Sequence, residues 1–140
     1  MAAQREQASE RRAGGAPDDL RAGGAPDDLR AGDTARFLHV QTTTDSRAEA
    51  MELAHDAVQA RLAACAQVAG PVASTFWWEE GIERAEEWLI ILKLPADRYA
   101  ELAEFLLERH SYDEPEIIAT PIIAGSASYL DWIDEETRPR

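Results

Sequence analysis

The sequence predicts an α+β domain in which two main helices lie on one face of a four-stranded antiparallel sheet, followed by a short C-terminal helix. Three observations lead there. Apolar periodicity runs in the order strand, helix, strand, strand, helix, strand, which is a split βαβ arrangement. The two middle strands are about twice the usual five or six residues and are joined by a tight turn. The periodic region is about a hundred residues long, enough to bury one core without a disulfide or metal staple.

The first strand begins after Thr34, where Phe37, Leu38 and Val40 lie in a Thr-rich run that ends near Thr43. Ser46 and Glu49 form an S-x-x-E capping box, and Ala50, Leu53, Ala54, Ala57, Val58 and Leu62 then recur at helical spacing. Gln67 to Glu79 reads as a strand that is bulged or at an edge, because Pro71 cannot donate to a ladder. Glu79, Glu80 and Gly81 make the turn. Glu83 to Leu94 returns with Trp88, Ile90, Leu92 and Leu94 on one face and Leu89 and Ile91 on the other, and Pro95 closes it. Tyr99, Leu102, Ala103 and Leu106 predict a second helix ending near His110. Ile117 to Ile123 is a further strand weakened by Pro121, and Ser126 to Glu136 is the terminal helix. This is the ferredoxin-like order, and residues 34–140 are expected to form one such domain.

Upstream, Arg12 to Leu20 reads RAGGAPDDL and Arg21 to Leu29 repeats it unchanged. Gly and Pro discourage helix and strand there and each copy offers one leucine to bury, so residues 1–33 are expected to be a disordered arm. The domain itself carries large apolar groups on both sides of its hairpin; Trp77 and Trp78 are adjacent and must point to opposite faces. That much apolar sheet surface exceeds what a soluble monomer shows, and the expectation is a closed oligomer. The alternative is that the third helix and the last strand cover the face within one chain.

With 14 basic against 27 acidic residues, the net charge of -13 repels phosphate backbones, and no nucleic-acid partner is expected. No apolar run reaches the roughly 18 to 20 residues needed to span a bilayer, so no membrane role is expected. A single cysteine suits a reducing compartment, and the chain is read as cytoplasmic.

Several segments resemble the CutA family of divalent-cation tolerance proteins: RLAAC at Arg61 to Cys65, the hairpin from Phe76 to Lys93, and above all the last third of the chain. There His110, Tyr112, Pro115 and Glu116, then Gly125, Tyr129 and Trp132, match the family's H-x-Y-x-x-P-E, G and Y-x-x-W pattern. The resemblance implies a ferredoxin-like subunit, a homotrimer built on long hairpins, and tolerance to divalent cations, copper above all, by binding without catalytic turnover. The turn departs from the family's W-x-G-K: Trp78 is followed by Glu79 and Glu80, and the turn lysine is missing. Leu94 stands where threonine is common.

For metal, Cys65, His110 and Glu116 are the candidates, because thiolate and imidazole suit copper and zinc and a carboxylate can complete the shell. No local ligand pair such as C-x-x-C supports them, so the choice rests on what the resemblance implies and not on ligand spacing. Each has a plain structural reading: Cys65 as a small buried hydrophobe, His110 at the end of a helix bonding open carbonyls, Glu116 paired with Lys93, the only lysine. His39 and His55 are read as incidental. Trp78, Trp88, Lys93, Tyr112, Tyr129 and Trp132 are expected at an inter-subunit pocket or interface. No nucleophile elbow, phosphate loop or paired-carboxylate signature indicates an enzyme. The competing class is a trimeric scaffold or a small-molecule sensor similar to the PII proteins, although the short turn replaces their long mobile loop.

Overall fold

A computed structural model describes residues 36–139, so the expectation for the arm lies outside the described residues. The elements are β1 (Phe37–Thr44), α1 (Arg47–Gln59), β2 (Cys65–Trp78), β3 (Gly81–Pro95), α2 (Tyr99–Arg109), β4 (Ile118–Pro121) and α3 (Ala127–Glu136). The sheet order is β2-β3-β1-β4 and every pairing is antiparallel, the ferredoxin-like topology.

Alternation along the strands decides what each face carries. Leu38 and Val40 of β1 and Ile90, Leu92 and Leu94 of β3 point to the helices. There they pack with Ala50, Leu53, Ala54 and Ala57 of α1 and Leu102 and Leu106 of α2. Val40, Ile90, Leu92, Leu94, Leu102 and Leu106 are fully buried. Truncating any of the leucines to alanine would cost roughly 2 to 5 kcal/mol. Trp88 is half-buried and packs against the edge of this same core.

Ser46 caps α1 as expected, its Oγ accepting from the Glu49 N–H at 3.2 Å. The Glu49 carboxylate reaches further than a capping box requires: it accepts from the Ser111 N–H at 2.8 Å and from the Ser111 hydroxyl at 2.7 Å. The helix end is closed by Arg61 at φ 60°, a left-handed position usually given to glycine. Its guanidinium binds the Glu136 carbonyl at 2.9 Å and carboxylate at 3.1 Å, joining the end of α1 to the end of α3.

Pro71 does mark a bulge. Register shifts between Ala69 and Val72, after a cis Gly70-Pro71 bond. At Gly70 a Cβ would sit 2.7 Å from Cδ1 of Trp88, so only glycine lets the bulged backbone lie on that ring. The hairpin turn is tighter than three residues. Trp78 pairs with Gly81, leaving Glu79 and Glu80 at φ 45° and 67° as the whole loop. β4 is shorter than expected and ends at Pro121, which has no N–H for a ladder, although the Ile122 N–H still donates to the Phe37 carbonyl at 2.9 Å.

The sheet face away from α1 and α2 is covered only at one end. There Ile133 and Leu130 of α3 pack with Phe37, Ala64 and Ile122. The hairpin beyond the bulge carries Trp77 at 68% exposure and Ile82 at 62%, paired across the strands near its tip.

Candidate functional site

The chain leaving α2 sets His110 against the Thr43 carbonyl at the end of β1 and Tyr112 against Glu87 of β3. His110 follows the helix with extended backbone, and its N–H donates to the Leu106 carbonyl. Its ring is fully enclosed. Nε2 lies 2.8 Å from the Thr43 carbonyl and Nδ1 lies 3.0 Å from the Tyr112 N–H. A carbonyl only accepts and an amide N–H only donates, so the tautomer is determined: Nε2 carries the proton, Nδ1 does not, and the ring is neutral. Burial lowers the His110 pKa; the bond to Thr43 and the Glu49, Asp45 and Glu87 carboxylates oppose that shift without cancelling it.

Beside it the Tyr112 hydroxyl donates to the Glu87 carboxylate at 3.0 Å, with the two rings 4.9 Å apart. Tyr112 and Glu87 are both buried. Desolvation first, then the Glu87 charge and hydrogen bond, push the phenol far above its ordinary range. His110, Tyr112, Glu87, Thr43, Glu49 and Ser111 therefore form one buried polar network. It closes the junction of α2 with the sheet, and within the subunit Tyr112 belongs to it.

A second group lies on the sheet face away from α1 and α2, beside α3. In an antiparallel sheet directly paired residues project from the same side. Cys65 pairs with Lys93, Lys93 with His39, and His39 with Thr120, so these four form one lateral row across all four strands. Cys65 and Lys93 are half-buried. The Lys93 ammonium lies 5.7 Å over the ring of Tyr129, which is 5.5 Å from the ring of Trp132 on the next turn of α3. Tyr129 and Trp132 remain 41% and 39% exposed. Trp78, by contrast, is buried beside the turn.

These placements separate the sequence candidates. Cys65 stands in the Lys93 row, His110 in the polar network, and exposed Glu116 accepts weakly from Gln41 Nε2 at 3.5 Å. Among the described residues Glu116 and Lys93 form no ion pair. Among the described residues no three His, Cys, Asp or Glu side chains are grouped to hold a metal ion. Both nitrogens of His110 are engaged, so Cys65, His110 and Glu116 do not fit a metal within one subunit. His39, read as incidental, is the residue that sequence reasoning missed; only its strand register, not a motif, brings it beside Lys93. Burial and the Lys93 charge lower its pKa.

Residues 38–136 match the family model described as CutA1 divalent ion tolerance protein. The divalent-cation tolerance protein CutA of Archaeoglobus fulgidus is 40% identical over 96 residues, covering 69% of this chain and 93% of that protein. The chloroplastic protein CutA of Arabidopsis thaliana is 36% identical over 99 residues, 71% of this chain and 54% of that protein. A solved structure of the periplasmic divalent cation tolerance protein CutA from Archaeoglobus fulgidus is similar at a TM-score of 0.70 and 37% identity, covering 73% of this chain and 99% of the other.

Proposed function

Because this chain belongs to the CutA1 divalent ion tolerance family, we propose that it is a homotrimer that binds divalent cations, copper foremost, as cargo and without catalytic turnover. The family match over residues 38–136 carries this reading, together with relatives that bear the name of divalent-cation tolerance. A cytoplasmic setting is part of the proposal and rests on the single half-buried thiol. Relatives named as chloroplastic and periplasmic occupy other compartments.

The trimer is supported by the partly uncovered sheet face and by the exposed Trp77 and Ile82 on the long hairpin. The proposed cation site takes groups from more than one subunit. Cys65 and Glu116 are accessible enough to contribute; His110 joins only if it gives up Thr43 and Tyr112. Calorimetry with copper and zinc tests this: saturable binding tighter than about 1 mM is expected, weakened in Cys65→Ala and Glu116→Gln. Absence of saturable binding overturns it.

A second reading, a trimeric sensor or scaffold that holds a small ligand at its clefts, is favoured by one observation. The only lysine of the chain lies on the open sheet face beneath an aromatic ring.

A further inference from the structure

The Lys93 row has a chemistry of its own. It holds Cys65, Lys93, His39 and Thr120; the next row along the face holds Gln67, Ile91, Gln41 and Ile118, and the one after it Ala69, Leu89 and Thr43. None of these eleven positions is a carboxylate, in a chain where acids outnumber bases 27 to 14. Among the described residues Lys93 forms no ion pair, and its ammonium lies over the Tyr129 ring. Two acids nearby on this face already have donors: Glu116 is held on Gln41 in the neighbouring row, and Glu87, two positions before Leu89 on β3, accepts from the Tyr112 hydroxyl. Lys93 is half-buried as a residue, and a ring face is a weaker partner for its ammonium than an anion would be.

We propose, resting on the sensor reading, that the Lys93 row binds a small organic anion, its carboxylate or phosphate on Lys93 and its flat body against Tyr129 and Trp132. The geometry supplies each part. Lys93 is the point charge, Thr120 and His39 are donors in the same row, and the two rings tilted at 36° offer apolar surface at the edge. His39 is held toward its neutral form by burial and by Lys93, and it can donate one hydrogen bond without repelling an approaching anion or adding to the charge on Lys93. An anion that neutralises Lys93 removes part of what depresses His39, so binding and proton uptake are linked.

The test uses the full chain at pH 7 with EDTA present, so that metal binding cannot contribute. Phenyl phosphate, benzoate, inorganic phosphate and phenol are titrated by calorimetry and tryptophan fluorescence. Saturable binding of phenyl phosphate or benzoate is expected, at least about tenfold tighter than inorganic phosphate or phenol, and the tighter of the two identifies the headgroup. Lys93→Met should weaken it about tenfold or more, Lys93→Arg should retain most of it, and Trp132→Ala should weaken the aromatic anions but not inorganic phosphate. The His39 titration, followed by NMR, should move up on saturation, a change that a merely structural Lys93 would not produce. Equal affinity for phenol, unchanged binding in a folded Lys93→Met protein, or no saturation below roughly 10 mM overturns the proposal. Copper titration of the same protein without EDTA reports separately on the metal reading.

Discussion

At His110, one side chain that sequence placed among the metal candidates acts as a neutral bridge between a strand and a helix end. Its folded-state pKa lies below the ordinary 6.5, so as pH falls the unfolded chain takes up the proton first. The stability contributed by the neutral ring is fully present above about 6.5 and is lost as pH falls from there toward the lower folded-state value. Urea unfolding between pH 7.5 and 5.5 should therefore show declining stability, and His110→Gln should flatten that decline more than His39→Asn, whose ring is less buried. Tyr112→Phe should cost about 1 to 3 kcal/mol in the same measurement at pH 7, because the Glu87 carboxylate would keep its burial and lose its donor. The H-x-Y spacing was visible in the chain. What the two residues do was not, since Thr43 and Glu87 lie 67 and 25 positions away.

Among the elements, the hairpin shows how a local misfit is tolerated when register is held elsewhere. Glu79 and Glu80 both take left-handed backbone in a two-residue loop, a geometry that asparagine and glycine fill without crowding. Long flanking strands impose it: eleven further pairs between β2 and β3 outweigh a turn that costs about 1 kcal/mol or more per residue. Replacing Glu79→Asn together with Glu80→Gly should raise stability by about 1 kcal/mol in thermal or urea unfolding, with the oligomeric state unchanged. Strand and helix identities were legible because their periodicities are long, and the Pro71 bulge was legible because proline lacks a donor. The extent of β4 was not, because its ladder with β1 stops at Pro121 and the chain goes on with the Ile122 N–H bonded to the Phe37 carbonyl.

For the whole molecule, exposed Trp77 and Ile82 on a hairpin that outruns its own core predict association. Native mass spectrometry at micromolar concentration should find three chains, and Trp77→Ser with Ile82→Ser should shift the distribution to smaller species without unfolding the subunit core, to which neither side chain belongs. The sequence by itself determined the α+β class, the order of the elements, the two-sided hairpin and the family, because each is written in local periodicity or in motifs with short spacing. Only the tertiary structure decided that Cys65, His110 and Glu116 stand apart within a subunit, that His110 is locked neutral, and that His39 shares a row with Lys93. Those outcomes depend on which strands become neighbours and in what register, and a one-residue slip in pairing would send every one of these side chains to the opposite face.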